Sequence, residues 1–264
     1  MLTHSDIHTF LQNIGIKSDD TVLIHTSMRA IGEVEGGCDG LIDAFKSYLS
    51  EGLFIVPTHT WGTVGRGVNE FDVRTSVPCI GALPAVAAFR KDAVRSLHPT
   101  HSVAAFGKRA AEFVKGEEKS KTPCPTDGLW ARLYDENAKI LLLGVLLNRN
   151  TYIHAIDEMI GLEGKLAEIQ MPLTVIDYNG NRYETNFRPH GFTGAVNFEN
   201  YRKPLEHFDA IKLSKLGNAD ATIFYTRLAT EVVKHLWQNA EYDLVAEEKE
   251  IPEEYYSDYY QKSR

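Results

Sequence analysis

The chain has 264 residues, of which 43% are hydrophobic and 24% are charged. This composition is that of a globular protein with a sizeable core, and it excludes disordered and fibrous classes. Because 36 acidic residues outnumber 28 basic ones, for a net charge of -8, we expect no general nucleic-acid binder. No stretch approaches the roughly 18 apolar residues of a membrane span. Three cysteines in no pair pattern favour the cytoplasm.

The first half of the chain alternates between predicted helices and predicted strands. Helices are indicated by apolar residues at i, i+3 and i+4, and strands by short continuous apolar runs. Such runs suit a sheet that is covered on both faces. In chain order, the pattern predicts helix 5–14, strand 21–25, a turn over 36–40 that opens a helix to 50, strand 53–56, helix 81–91, strand 102–106, helix 108–115 and strand 139–145.

The second half begins with a predicted helix over 151–162 and then changes in character. The pair Asn179-Gly180 lies between apolar runs over 173–178 and 182–186 and predicts a hairpin. We expect one α/β/α layered domain over 1–264 with a smaller hairpin-containing region. The remaining predictions are strand 211–216, helix 220–238 and a mobile surface tail over 247–260.

Histidines at predicted strand ends are the first candidates for a functional site. His25, His59, His98 and His101 stand beside Thr, Ser or Pro after or before buried strands. Open α/β sheets build their sites in the loops after the carboxyl ends of strands. A single histidine is more often a satisfied structural residue than a catalyst, so both interpretations stay open for each of them.

His154 is the candidate with the clearest local chemistry. Asp157 at i+3 and Glu158 at i+4 can share its helix face. A carboxylate beside an imidazole fixes its tautomer and stabilises the imidazolium, which favours general-base catalysis. The same spacing also occurs in ordinary surface pairs on helices.

The glycine turn before the second predicted helix is a candidate phosphate site. Gly36 and Gly37 leave backbone N–H groups free at a positive helix end, although an ordinary turn explains them equally well. The spacing matches neither a P-loop nor a dinucleotide fingerprint, and no nucleophile elbow is present. A metal site built on His98 and His101 with a third histidine defines the alternative of a histidine-rich metallohydrolase.

Several segments together resemble the aminoglycoside 3-N-acetyltransferase family, also called antibiotic N-acetyltransferases, and in particular its shorter, bacillus-type members. The resemblance implies an α/β/α body with a central mixed sheet, unrelated to GCN5-like acetyltransferases. The segments that carry it are VLIHTSMRAIGEVEGG (22–37), IVPTHTW (55–61), GALPAVAAFR (81–90), RSLHPTHSVAAFG (95–107), ILLLGV (140–145) and TYIHAIDE (151–158).

The resemblance implies that acetyl-CoA donates an acetyl group directly to an amine, most simply the 3-amino group of a 2-deoxystreptamine aminoglycoside. It implies His154 as the general base, with Asp157 as its acidic partner and Glu158 as the alternative. No metal ligand is implied. Residues that the resemblance assigns to donor binding are His25, Thr26, Ser27, Val34, Glu35, Gly36, Gly37, Thr58, His59, Thr75, Ser76, His98, His101 and Ser102.

The region 165–215 resembles the family only loosely and is expected to form the acceptor side of the site. Its acceptor is then an aminoglycoside or another small amine, and a CoA-binding protein without catalysis is a further alternative. The expected partners are acetyl-CoA and a small cationic amine, and a second copy of the chain in a homodimer is also possible. Because aminoglycosides are polycations, we expect an acidic pocket built from Asp157, Glu158, Glu163, Glu168, Asp177, Glu184 and Glu199.

Overall fold

The computed structural model of the protein describes residues 1–191 and 196–257. Ten strands lie within these ranges. They are β1 (Thr21–Thr26), β2 (Leu53–Pro57), β3 (Glu70–Asp72), β4 (Val94–Arg95), β5 (Val103–Phe106), β6 (Lys139–Leu143), β7 (Met171–Ile176), β8 (Arg182–Phe187), β9 (Ile211–Leu216) and β10 (Ala219–Tyr225).

Nine α-helices connect these strands within the same described ranges. Short 3-10 turns occur at Leu147–Arg149, Phe198–Tyr201 and Glu253–Tyr255. The helices are α1 (His4–Asn13), α2 (Met28–Ile31), α3 (Gly37–Tyr48), α4 (Ala82–Ala87), α5 (Ala110–Phe113), α6 (Leu129–Asp135), α7 (Tyr152–Met159), α8 (Arg202–His207) and α9 (Thr226–Asn239).

Seven strands form one mixed sheet in the order β4-β5-β2-β1-β6-β10-β9. Strand β1 runs parallel to both β2 and β6. Strands β5 and β10 are antiparallel to their neighbours on both sides. As a result, the carboxyl ends of β1, β2 and β6 and the amino end of β5 meet at one edge of the sheet.

Side chains of the central strands alternate between two apolar layers. Leu23, Ile140 and Leu142 point to the side of α6, α7 and α9, whereas Ile24 and Leu141 point to the side of α1 and α3. This alternation follows from the period of two residues along a strand. Since both faces are covered, nearly every residue of these strands is apolar, as the sequence predicted.

A second, three-stranded sheet has the order β3-β7-β8 and its own small apolar core. Strands β7 and β8 form the hairpin that Asn179-Gly180 predicted. The Asp177 carboxylate holds the turn, because it accepts hydrogen bonds from the backbone N–H groups of Asn179 and Asn181 at 2.8 and 2.9 Å. The expected α/β fold with a central mixed sheet and a smaller hairpin region is confirmed.

The largest error in the predicted elements concerns the helix over 220–238. Its first part is strand β10, which lies between β6 and β9, and helix α9 begins only at Thr226. Ile223 and Phe224 point to opposite faces of the sheet and are both buried. Four consecutive apolar or β-branched residues fit a helix and a doubly covered strand equally well, and tertiary pairing decides between them.

Smaller corrections concern helix lengths and the tail. Helix α4 ends at Ala87 instead of Lys91, α5 is a single turn, and α6 was not predicted. Most described residues of the tail 247–260 are exposed, as predicted, but Ile251 and Tyr256 are buried against the core. Residues 258–260 of that prediction lie outside the described residues.

Candidate active site

A cleft of about 860 Å³ opens at the sheet edge where β1, β2 and β6 end. This volume is within the usual range for small-molecule sites. On the main-sheet side, its wall includes His25 near the end of β1, His59 after β2, His154 on α7 and His101 before β5. The small-sheet region contributes Met171, Phe187, Pro189 and His190 to the same cleft.

Six buried histidines, here called the histidine cluster, lie in or directly behind this wall. Burial lowers the pKa of His25 and His154 to about 3 and that of His98 to about 4. Burial and the neighbouring rings also hold the pKa of the other three well below the usual value. All six are therefore neutral at pH 7. The cluster consists of His25, His59, His98, His101, His154 and His190.

His154 lies on α7 with its ring between a histidine and a carboxylate. Its ring centroid is 4.1 Å from that of His190, and its Nδ1 is 3.7 Å from Oδ2 of Asp157. The Asp157 side chain is only 2% exposed. Burial raises the pKa of Asp157 to about 7, although the nearby Lys165 ammonium works against this increase.

The two acids that follow His154 have different partners. Asp157 faces His154, whereas Glu158 binds the loop before α6. Its carboxylate accepts hydrogen bonds from the Thr122 hydroxyl at 2.5 Å and the Cys124 backbone N–H at 2.7 Å. On α7 the i+3 position therefore faces the imidazole, and the i+4 position serves the neighbouring loop.

Four buried polar atoms in the wall have no hydrogen-bond partner among the described residues. They are Nε2 of His25 and of His59, the Thr26 hydroxyl and Nδ2 of Asn150. Buried polar groups are normally paired, and all four residues line the cleft. The Asn150 amide is oriented, since its Oδ1 accepts from the backbone N–H of Tyr152 at 3.2 Å. These atoms are available to a ligand.

Other residues assigned to the site lie behind the wall and stabilise it. His98 does not line the cleft: its Nδ1 accepts from the backbone N–H groups of Thr100 and His101, and its Nε2 donates to the Thr122 carbonyl at 3.0 Å. This arrangement fixes both the tautomer of His98 and the loop that carries His101. Sequence alone could not separate this structural histidine from those in the wall.

Thr58, Ser76 and Ser102 surround the buried guanidinium of Arg95. The backbone carbonyls of Thr58 and Ser76 accept from Arg95 at 3.2 and 2.7 Å, and the Thr58 and Ser102 hydroxyls bond each other at 2.9 Å. Thr75 is exposed and also lies outside the wall. Thr58, Ser76 and Ser102 thus hold Arg95 beside the end of β2, and none of the four residues lines the cleft.

The glycine turn also lies outside the cleft wall. Val34 pairs with the N-terminal residue Leu2, and Glu35 follows it on the surface. Gly36 and Gly37 have φ angles of +72° and +61° and lead into α3 without a side-chain cap. The N–H groups of Gly37 and Gly40 already donate to the carbonyls of Val34 and Gly36 at 2.9 and 3.0 Å, so within the described residues only the N–H groups of Cys38 and Asp39 are left in the first turn for the phosphate interpretation.

No group of three or more His, Cys, Asp or Glu side chains in the described part of the chain is arranged to hold a metal ion. The three cysteines are free thiols. No helix in residues 1–191 and 196–257 is long and apolar enough to cross a membrane.

The expected acidic pocket is not found. None of the seven candidate acids belongs to the cleft wall in the described ranges. Instead, the wall includes Arg29, Arg66 and Arg149, together with Trp61 and Asn150. Sequence reasoning missed the arginines, because each stands alone in its segment and only the fold brings the three segments to one edge of the sheet.

The cleft combines buried polar atoms without partners among the described residues, histidines with lowered pKa values and a buried acid. This combination is typical of an enzyme that acts on a small molecule. The model of the aminoglycoside 3-N-acetyltransferase family matches residues 23–238. The chain therefore belongs to this family and is an acetyltransferase.

Relatives of this chain come from several bacteria. Aminoglycoside N(3)-acetyltransferase IX of Micromonospora chalcea is 28% identical over 253 residues, which cover 84% of this chain and 89% of that protein. The SPbeta prophage-derived aminoglycoside N(3')-acetyltransferase-like protein YokD of Bacillus subtilis is 26% identical over 251 residues, which cover 84% of this chain and 87% of that protein. The resemblance to the family and its bacillus-type members is confirmed.

The fold is also that of solved family structures. A mutant of the aminoglycoside acetyltransferase AAC(3)-IVa, in complex with a gentamicin, matches with a TM-score of 0.74 at 21% identity. The match covers 88% of this chain and 87% of that one. Such neighbours are aminoglycoside acetyltransferases, which confirms that the fold is not GCN5-like.

Proposed function

We propose that the protein transfers an acetyl group from acetyl-CoA to a primary amine of a small molecule, with His154 as the general base. The observation that carries this proposal is the neutral, cleft-lining His154 with Asp157 beside it. The names of the relatives make the 3-amino group of a 2-deoxystreptamine aminoglycoside the first acceptor to test. Another small amine is the alternative, and the cytoplasm is the proposed location.

The proton transfer is assigned to the pair on α7. Only a free amine can attack a carbonyl, so the incoming ammonium must lose a proton to a base within hydrogen-bond reach. His154 is neutral and can accept that proton. Ionised Asp157 then stabilises the imidazolium that forms, whereas neutral Asp157 does not. Activity should therefore depend on the ionisation of Asp157 as well as on the presence of the imidazole.

The residues around the cleft fit the donor that the family implies. Acetyl-CoA supplies the acetyl group as a thioester, and its attack by an amine places negative charge on the carbonyl oxygen. Nδ2 of Asn150 is a buried donor without a partner among the described residues, and we assign it to that oxygen. The hydroxyl of Thr26 and the ring nitrogens of His25 and His59 are the other buried groups that can orient the donor.

The glycine turn is the proposed binding site for the donor's pyrophosphate. Gly37→Asp should weaken acetyl-CoA binding about tenfold, because it adds a negative charge at an open helix start. The φ of Gly37 disfavours any side chain, so Gly37→Asn, which tolerates this conformation better, is the matched control. Titration calorimetry that gives equal affinities for the two variants would remove the phosphate from this turn.

The acceptor side is assigned to the region 165–215. Met171, Phe187 and His190 of this region line the cleft. They are positioned to shape the space for the amine, and they bring no carboxylate to it. The charged and polar groups of the cleft come mainly from the main-sheet side, where both the donor and the polar groups of the acceptor can bind.

The direct test is acetyl transfer measured by release of the CoA thiol over a panel of amines. His154→Ala should reduce turnover by roughly two to four powers of ten while the affinity for acetyl-CoA stays unchanged. His207→Gln, which alters an exposed histidine outside the cleft, is the control. Near-normal turnover by folded His154→Ala would remove His154 from the mechanism.

A further inference from the structure

Three arginines of the cleft differ from the other arginines of the described residues. Nine of the twelve donate a side-chain hydrogen bond to a carboxylate, a hydroxyl or a backbone carbonyl. The side chains of Arg29, Arg66 and Arg149 have neither a hydrogen bond nor an ion pair within residues 1–191 and 196–257, and all three line the cleft. Their charges are therefore available to a ligand.

These arginines follow three different strands. Arg29 comes after β1, Arg66 after β2 and Arg149 after β6, so the parallel strands bring three separate loops to one edge. The positive wall does not reflect the composition, since the whole chain has a net charge of -8. A basic cleft on an acidic protein attracts anions and repels cations.

The acids that could offset this charge are held elsewhere. Glu184 accepts from Thr174, Asp177 holds the hairpin turn, and Glu199 pairs with Arg202. Glu163 and Glu168 are exposed outside the wall. Among the described residues the cleft wall thus has three guanidinium groups and no carboxylate, which is unfavourable for a ligand with several ammonium groups.

We propose that the natural acceptor is an amine that also carries a phosphate, phosphonate or carboxylate group, and that this anionic group is bound by Arg29, Arg66 and Arg149. The inference rests on the proposed function, because it specifies the amine that the acetyl group reaches. Guanidinium groups bind such anions with paired, charge-assisted hydrogen bonds. The phosphates of acetyl-CoA share this chemistry, so the experiment separates the two sources.

The first arm compares amines that differ only in one phosphate. Glucosamine 6-phosphate is paired with glucosamine, and 2-aminoethyl phosphate with ethanolamine, while gentamicin represents the polycations. The phosphorylated member of at least one pair should have a kcat/KM at least about tenfold higher than its partner and higher than gentamicin. A preference for the unphosphorylated amines or for gentamicin would overturn the inference and leave the proposed function intact. Transfer to no amine at all would overturn both.

The second arm identifies what the arginines bind. Arg29→Gln, Arg66→Gln and Arg149→Gln should fold normally, because they remove no side-chain hydrogen bond or ion pair within the described residues. At least one should raise the KM for the preferred phosphorylated amine about tenfold, with S-acetylpantetheine, which lacks the nucleotide phosphates, as donor. Arg182→Gln, which removes a surface ion pair to Glu70, is the control. If all three variants weaken only acetyl-CoA binding in calorimetry, the arginines bind the donor and the inference fails.

Discussion

The two sides of the cleft are built differently. The main-sheet side presents polar groups at strand ends, among them His25, His59, Asn150 and His154, several with buried atoms that lack partners among the described residues. The small-sheet side presents Met171, Phe187 and Pro189 around a single histidine. The polar groups thus lie at the ends of β1, β2 and β6, which are each paired on both sides. The smaller sheet contributes mainly apolar side chains that shape the cleft.

Electrostatics follow the same division. Five of the six members of the histidine cluster belong to the main-sheet side, and burial holds all of them neutral. Asp157, directly behind His154, is the buried acid of this side. The imidazoles are thus in the form that accepts a proton, and the group of this side whose pKa lies near neutral pH is Asp157.

Acidification has the largest predicted effect, and it acts through the histidines, most of which belong to the main-sheet side. Below pH 6.5 each unfolded histidine binds a proton that its buried counterpart does not, so the free energy of unfolding falls as the pH falls. Asp157 and Glu117, whose pKa values are raised to about 7, and Glu158, whose pKa burial also raises, act in the opposite direction. Because the six histidines outnumber these three acids, unfolding takes up protons on balance, and the protein should be less stable at pH 5 than at pH 7.5.

Urea unfolding between pH 7.5 and pH 5 measures this slope. His59→Gln should reduce it by about one proton, and His207→Gln, which changes an exposed side chain outside the histidine cluster, is the control. Equal stability at pH 5 and pH 7.5 would mean that the cluster is protonated in the folded protein.

A substitution on the small-sheet side should have a smaller and more selective effect. Met171→Ala removes apolar contact area from the acceptor side, so the KM for the acceptor should rise about three- to tenfold. The affinity for acetyl-CoA should not change. Ile169→Ala, at an exposed position outside the cleft, is the control. A weaker affinity for acetyl-CoA in Met171→Ala would contradict the division between the two sides.

Local patterns in the sequence predicted those parts of the fold whose local and tertiary preferences agree. The run predicted as a strand over 139–145 contains β6 (Lys139–Leu143), which lies between β1 and β10 and is buried from Ile140 to Leu143, and Asn179-Gly180 forms the hairpin turn. The prediction for the segment Ala219–Tyr225 was wrong because only its pairing with β6 and β9 makes it a strand. Local sequence patterns do not contain these non-local contacts.

The site shows the same limit. His154 was identified from its sequence neighbours, and the histidines at strand ends were expected to line a cleft. The choice between Asp157 and Glu158 required the loop at Thr122 and Cys124, which binds Glu158. The structural role of His98 became visible only through its hydrogen bond to the same loop. Both questions depend on contacts between segments far apart in the chain.

The pH dependence of kcat in three proteins tests the central claim, that His154 acts as a base supported by Asp157. In the wild type, kcat should rise with pH through one ionisation near pH 7, because burial raises the pKa of Asp157 to about 7 and ionised Asp157 stabilises the imidazolium. Asp157→Asn should lower kcat and lose this ionisation, whereas Glu158→Gln should retain it. An unchanged ionisation in Asp157→Asn, or its loss in Glu158→Gln, would contradict the assignment.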